Sequence, residues 1–261
     1  MIFKAKDKTT MQQNDLTGKV ALITGGARRV GAQIARTLHA HGMNLVIHYR
    51  SSSDDALALQ TELERQRPKS VALVKGDLVK FAELSGIVEA AAAAFKRLDV
   101  LVNNASSFYP TPLGQATEAQ WDDLFGSNLK APFFLAQAAG PHLKKTRGCI
   151  VNMADIHADR PIKRYPIYCA AKAGVVMLTK SLARDLAPEV RVNAVAPGTI
   201  MWPEGEAELS AAQKQEMLAR IPLQRTGSPD DIASTILFLI RDATYINGQV
   251  IAVDGGRTVV G

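Results

Sequence analysis

Disulfides, membrane spans and metal-ligand patterns are absent from this sequence. Its two cysteines, Cys149 and Cys169, stand in apolar or helical surroundings rather than in a spaced framework, which excludes a disulfide scaffold and makes a reducing cytoplasm the expected compartment. The beginning of the chain has no charged-then-apolar signal pattern, in keeping with that expectation. The longest apolar stretches, such as Ala91–Phe95 and Gly174–Leu178, fall far short of the roughly 20 residues that cross a bilayer, so no membrane association is expected. The five histidines show no paired ligand spacing; His157 and the others read as solvated or core side chains, and no metal is expected.

Long runs of like charge are also missing. The net charge is +6, yet the lysines and arginines are scattered, with only short pairs such as Arg28-Arg29 and Lys144-Lys145. That distribution argues against nucleic acid as a partner and for a solvated surface plus a site for small anions. With 47% hydrophobic and 21% charged residues, the composition is that of a soluble globular protein. A chain of 261 residues could form one large α/β domain or two small ones, and no linker argues for two.

Residues 1–17 are polar and without an apolar period, so they read as a loose extension, within which Met11 could be an alternative start. From residue 18 onward, β-branched runs alternate with helical patterns, the signature of βα units around a parallel sheet. Strands are expected at Val20–Ile23, Leu45–His48, Val71–Val74, Val100–Val102, Cys149–Met153, Val190–Val195 and Val250–Val253. Helices are expected at Ala32–His41, Asp54–Gln66, Glu83–Phe95, Trp121–Lys144, Tyr168–Leu186 and Asp230–Arg241, the fourth modified by Pro132 and Pro141. These make a single-domain α/β fold with a doubly wound, seven-stranded parallel sheet and helices on both faces. The irregular stretch 197–223, with Thr199, Trp202, Pro203, Gly205 and several glutamates, reads as a lid over a substrate pocket.

Directly after the first strand comes Thr24-Gly25-Gly26-Ala27-Arg28-Arg29-Val30-Gly31. Glycine there lets the backbone approach a pyrophosphate at a helix N-terminus, although a tight strand-to-helix turn also uses glycine for steric reasons alone. The second strand runs out in His48-Tyr49-Arg50-Ser51-Ser52. It lacks the acidic residue that would hold the ribose hydroxyl of NAD. Arg50 and Ser51, with help from Arg28, suit a 2′-phosphate instead, which points to NADPH/NADP+. Arg50 could equally be a solvated strand end, and Asp54 and Asp55 lie close by. Asp77 and Leu78 after the third strand, and Asn103-Asn104-Ala105 after the fourth, stand at successive strand ends where such sheets bind ligands; either could be only a turn.

Tyr168 and Lys172 are four residues apart, so on a helix they share a face and can act as an acid-base device. Thirteen residues before Tyr168, where a hydroxyl donor would be ordinary, stands the carboxylate of Asp155. Asp155 could instead cap a turn or pair with Arg160 or Lys163. Cys169, inside the same run, reads as a small packing residue. Trp202 could cap a substrate or fill the underside of the lid.

Together, Thr24-Gly25…Gly31, Asp77, Asn103-Asn104-Ala105, Asn128, Tyr168…Lys172, Asn193, Pro197-Gly198 and Asp254-Gly255-Gly256 resemble the short-chain dehydrogenase/reductase family over essentially all of Gly18 to Gly256. Arg29 departs from its middle glycine and Asp155 from its catalytic serine. Both departures, with His48-Tyr49-Arg50-Ser51 and Ala105-Ser106-Ser107-Phe108-Tyr109-Pro110, resemble the pteridine reductase branch, dihydromonapterin reductases being the nearest neighbours.

The resemblance implies a Rossmann fold and an NADPH-dependent reduction of a pterin or folate. The cofactor would be held by Gly25, Arg28, Arg29, Val30, Gly31, His48, Tyr49, Arg50, Ser51, Asp77, Leu78, Asn104, Ala105, Ser106, Tyr168, Lys172, Pro197 and Gly198. The flat substrate would be stacked by Phe108 and bordered by Arg29, Ser106, Asp155, Tyr168 and Trp202. Tyr168 and Asp155 would supply the proton, Lys172 would hold the nicotinamide ribose and lower the tyrosine pKa, and Asn128 would anchor a water. The alternatives are a carbonyl reductase of the same family, 3-oxoacyl or other ketone, and a non-catalytic NADP(H) sensor. The resemblance also implies a homotetramer, with Trp121–Lys144 and Tyr168–Leu186 as subunit contacts.

Overall fold

The computed structural model describes residues 15–202 and 210–260. Most of the expected N-terminal extension, including Met11, lies outside the described residues, as do Pro203, Gly205, Glu204, Glu206 and Glu208 of the expected lid. Along the chain run β1 (Val20–Ile23), α1 (Arg29–Ala40), β2 (Asn44–Tyr49), α2 (Ser53–Glu64), β3 (Val71–Lys75), α3 (Phe81–Phe95) and β4 (Val100–Asn103). They are followed by α4 (Glu118–Phe125), α5 (Ala131–Thr146), β5 (Cys149–Met153), α6 (Pro166–Asp185), β6 (Arg191–Pro197), α7 (Ala211–Ala219), α8 (Pro229–Arg241) and β7 (Val250–Val253).

The seven strands form one parallel sheet in the order β3-β2-β1-β4-β5-β6-β7. The fold is a single Rossmann-like α/β domain, as the alternation of elements in the sequence predicts. Side chains alternate across the sheet. Ala21, Ile23, Val100 and Val102 join the core beneath α1, α2 and α8, whereas Val20, Leu22 and Leu101 join the core beneath α3, α5 and α6. Strands buried on both faces are what βα crossovers require, and they explain the unbroken apolar runs. At the sheet's other end, the buried carboxylate of Asp99 accepts Val20 N–H at 2.8 Å and a two-pronged contact from Arg97.

The chain leaves edge strand β3 and returns to β4, on the far side of β1. The crevice where open α/β sheets bind ligands therefore opens at the C-terminal ends of β1 and β4. Two glycines shape it. Gly25 adopts φ +59°, and a Cβ added at Gly31 would lie 2.3 Å from the Gly25 carbonyl oxygen and 2.7 Å from Asn104 Nδ2. Arg29 also sits at φ +50°, so the left-handed backbone that a glycine would adopt freely is kept with a cationic side chain attached.

Two sequence expectations are corrected. The helix expected over Trp121–Lys144 is α4 and α5 separated by a π turn at Gly126–Lys130. Its cause is local hydrogen bonding: Ser127 Oγ donates back to Asp123 O at 2.7 Å and Asn128 Nδ2 donates to Leu124 O at 2.9 Å, competing with the regular ladder. Within the expected irregular stretch 197–223, α7 forms on a capping box in which Ser210 and Gln213 exchange hydrogen bonds.

Replacing Gly31 with alanine should lower unfolding free energy by about 2 kcal/mol, because the Gly25 carbonyl is backbone and cannot step aside. Urea denaturation checks this; an unchanged midpoint would contradict the fit.

Candidate active site

The glycine turn is held from two sides. On one, Thr24 Oγ1 accepts Asn104 N–H and Ala105 N–H at 2.9 and 3.1 Å, and Asn104 Nδ2 donates to the carbonyls of Thr24 and Gly25. On the other, His48 takes Gly25 N–H on Nδ1 at 3.3 Å and Gly26 N–H on its main-chain carbonyl at 3.0 Å. Above the turn lies a cleft of about 380 Å³. Every cofactor residue expected from Gly25 through Ser106 lines it. α1 starts there with no side-chain cap and no acidic residue in its first turn, leaving its positive end to the cleft.

Arg50 and Ser51 are exposed at the cleft's outer wall, and Arg50 has no ion-pair partner among the described residues. The nearby carboxylates are otherwise disposed. Asp55 pairs with Arg28 at 3.6 Å, and Asp54 lies in the first turn of α2. Asp77 lines the cleft and accepts Val79 N–H at 3.1 Å.

His48, expected to help hold the cofactor, lines the cleft with its ring turned to the backbone. It is 2% exposed, and both ring nitrogens are used, one on Gly25 N–H and the other on Gly76 O at 3.1 Å. Tyr168, Lys172, Pro197 and Gly198 are not among the cleft's lining residues. Gly198 N–H bonds Val253 O at 3.0 Å, and a Cβ there would come within 2.8 Å of Asp254 Cα, so this glycine also serves the β6–β7 corner.

α6 begins at Pro166, whose fixed φ suits a first helical turn, and presents Tyr168 and Lys172 one turn apart, both buried. Asp155 follows β5. Its Oδ2 accepts the Tyr168 hydroxyl at 2.6 Å while its Oδ1 accepts His157 N–H at 2.8 Å, capping the short 3-10 turn Ile156–Ala158. The capping reading and the pairing with Tyr168 are therefore both realised, one on each oxygen. The ion pair with Arg160 or Lys163 is not formed; Arg160 donates to the carbonyl of Val260.

Burial raises the Tyr168 pKa well above that of a free phenol, the Asp155 charge and its hydrogen bond raise it further, and a hydrogen bond with Ser106 opposes them. Lys172, which the resemblance expects to lower the tyrosine pKa, is not among the groups that shift it here. Lys172 donates to Met153 O at 2.8 Å and lies 5.6 Å from the Tyr168 ring centroid. Its own pKa is lowered to about 8 by burial, with Asp155 opposing, so the ammonium is still mostly charged near neutrality.

Phe108 lies over this pair, edge-on to Tyr168 at 4.8 Å and stacked on Tyr165 at 4.7 Å, with 53% of its surface exposed. Tyr165 escaped the sequence reading; it stands just before α6 with non-helical backbone, so helical spacing does not point to it. Ser106 Oγ donates to Asn128 Oδ1 at 2.7 Å, and Asn128 Nδ2 donates to Ser107 O and Leu124 O. The Asn128 amide protons are thus spent on the π turn and the loop after β4; a water could be anchored only by its oxygens. Tyr109 fixes the same loop to α4 through Asp123 at 2.9 Å, and burial with that carboxylate pushes its pKa up to about 12. Trp202 has its ring contact with Lys214, 6.0 Å away, rather than with Phe108.

A glycine turn at a switch point and a Tyr-Lys pair on the following half of the sheet define an oxidoreductase. The comparisons agree. A family model described as enoyl-(acyl carrier protein) reductase matches residues 25–258. Pteridine reductase 1 of Leishmania tarentolae is 36% identical, covering 93% of this chain and 97% of its own. A 3-oxoacyl-(acyl-carrier-protein) reductase FabG of Staphylococcus aureus is 39% identical over 91% and 97%, and 3beta-hydroxysteroid dehydrogenase 1 of Eggerthella lenta is 33% identical over 94% and 96%. The chain belongs to the short-chain dehydrogenase/reductase family, whose reductases of this kind use NAD(P)H.

Neutralising the carboxylate as Asp155→Asn should let Tyr168 ionise at lower pH, since the phenolate would no longer form beside a negative charge. Near-ultraviolet phenolate titration of the parent, Asp155→Asn and Tyr168→Phe reads this directly; superimposable curves for the first two would contradict it.

Proposed function

We propose that the protein is an NADPH-dependent pteridine reductase that takes dihydropterins or dihydrofolate to the tetrahydro form. The observation that carries this reading is the carboxylate of Asp155 on the Tyr168 hydroxyl, at 2.6 Å. In ketone reduction, the oxygen beside this pair gains negative charge, and a neighbouring carboxylate repels it. In reduction of a ring C=N bond, the more basic nitrogen takes its proton before or as the hydride arrives, so little negative charge develops beside the carboxylate, and a pair that shares a proton between phenol and carboxylate serves it.

The residues present fit the dinucleotide. The uncapped N-terminus of α1 and the glycine turn suit a pyrophosphate, while Arg50, Ser51 and Arg28 suit a 2′-phosphate at a wall that neither Asp54 nor Asp55 lines. Bound NADPH supplies the hydride. Tyr168 delivers its proton to the adjacent ring nitrogen and takes a replacement from solvent through Asp155, while Lys172 offsets the negative charge left on the pair. Phe108, with Tyr165 behind it, offers a flat aromatic face to a flat electron-poor ring, and Ser106 and Arg29 supply polar partners at its edge.

A second reading, reduction of a 3-oxoacyl or other ketone, draws on the likeness to the 3-oxoacyl reductase. Asp155 weighs against it. Retention of both Tyr168 and Lys172 weighs against a silent NADP(H) sensor. The reading also makes the protein a cytoplasmic homotetramer. Exposed Trp121 on α4 and Phe133 on α5, at 48% and 40%, support an assembly through those helices, and no helix among the described residues is long and apolar enough to cross a membrane.

Absorbance loss of NADPH with dihydrobiopterin, dihydromonapterin, dihydrofolate and a 3-oxoacyl thioester tests the assignment. Turnover of at least one pterin or folate well above the thioester is expected; thioester turnover alone, or binding without turnover, would refute it. In the same assay, Arg50→Asp should cut the preference for NADPH over NADH by about tenfold or more, the loss of one or two charge-assisted hydrogen bonds.

A further inference from the structure

His48 stands in the wall of the nucleotide cleft, almost fully buried, with both ring nitrogens bonded to backbone. The donors and acceptors around its ring fix one tautomer. Gly25 N–H can only donate, so Nδ1 must present its lone pair; Gly76 C=O can only accept, so Nε2 must carry the proton. The main-chain carbonyl of the same residue holds Gly26 N–H at 3.0 Å, and Gly76 N–H in turn bonds the carbonyl of Tyr49 at 3.1 Å. A single residue of β2 thereby ties the end of β1 to the end of β3, and Gly25 is held at φ +59° against Ala105.

We propose that His48 is a positioning residue of the nucleotide site: its neutral Nε2–H ring fixes the shape of the glycine turn through Gly25, and protonation in acid loosens the hold on NADP(H). The inference rests on the cofactor part of the reading above and not on the pterin part. A proton on Nδ1 would face the Gly25 N–H, turning a hydrogen bond into the opposition of two donors. The turn would then have to rotate away, at the point where a pyrophosphate needs its backbone.

The charged groups around the ring act in both directions. Asp77 after β3 and Glu83 on α3 favour the imidazolium, as does the Gly76 carbonyl, but burial outweighs them and lowers the His48 pKa. Arg28 and Arg29 of the glycine turn line the same cleft, and cations do not favour a further positive charge. Because the folded-state pKa lies below the ordinary value, the unfolded chain takes up the proton first. The brace's contribution is complete above about pH 6.5 and is lost as the pH falls through the folded-state pKa.

The test compares NADP+ dissociation constants of the parent, His48→Asn and His48→Gln by calorimetry from about pH 8 to about pH 5.5. Asparagine can place an oxygen where Nδ1 stands and does not titrate; glutamine reaches toward Gly76 and leaves Gly25 unpaired. At the alkaline end, the Asn variant should bind within about threefold of the parent and the Gln variant about tenfold more weakly. Toward acid, the parent should weaken by about twofold or more beyond the Asn variant, the phosphate's own titration being common to both.

Gln binding as tight as the parent, equal acid dependence of parent and Asn variant, or relative tightening of the parent in acid would each overturn the proposal. Should either variant fail to fold, histidine ring NMR of the parent decides: of the two buried histidines, His39 and His48, the one whose pKa falls on NADP+ addition is expected to be His48, held as Nε2–H, and a His48 ring that is not Nε2–H or does not respond overturns it. A parent that binds no dinucleotide overturns the cofactor reading as well. A parent that binds NADP+ as described but reduces no pterin leaves the role of His48 intact.

Discussion

Between Asp155 and Tyr168 a hydroxyl hydrogen lies on a carboxylate oxygen, at a donor–acceptor distance of 2.6 Å, and most of the site's chemistry follows from that contact. A buried phenol beside a negative charge is reluctant to ionise, so Tyr168 alone is a poor acid. Its hydrogen bond to the carboxylate gives the phenol a route by which a proton given up is replaced. Lys172, buried and fixed by the Met153 carbonyl, supplies the opposite charge that keeps Asp155 tolerable in this setting. The other Asp155 oxygen caps the turn at Ile156, which fixes the carboxylate's direction.

Sheet topology brings this pair to the nucleotide. β4 and β5 pair directly, so the loop after β4, carrying Ser106 and Phe108, lies beside the segment after β5 that carries Asp155. Asn104 ties the first loop to the glycine turn, and Ser106 ties it to Asn128 in the π turn. Cleft, aromatic face and proton pair are thus parts of one hydrogen-bonded assembly. An error in any one of its strand ends would be felt in the others.

Much of this was readable in the sequence, for physical reasons that differ from residue to residue. β1, β5 and β7 fall where the β-branched runs place them, because strands buried on both faces leave continuous apolar segments. Tyr168 and Lys172 could be paired by helical spacing alone. The split of the fourth helix could not be foreseen: it depends on Asn128 meeting Ser107 and Leu124, and no periodicity encodes that contact. His48 stands where the second strand runs out, and the direction of its ring emerges only once β1, β2 and β3 are side by side. Tyr165 was not legible: it stands just before α6 in non-helical backbone, so helical spacing does not bring it to Phe108, and no motif singles it out.

The central claim is that the carboxylate of Asp155 suits this site to a nitrogen heterocycle. Its most direct test is the pH–rate profile of dihydropterin reduction by the parent and by Asp155→Ser, at saturating NADPH. The account predicts a parent rate that rises on the acid side of neutrality and a serine variant that loses this rise and falls by about a hundredfold, the scale of a lost general acid. Indistinguishable profiles and rates would contradict it.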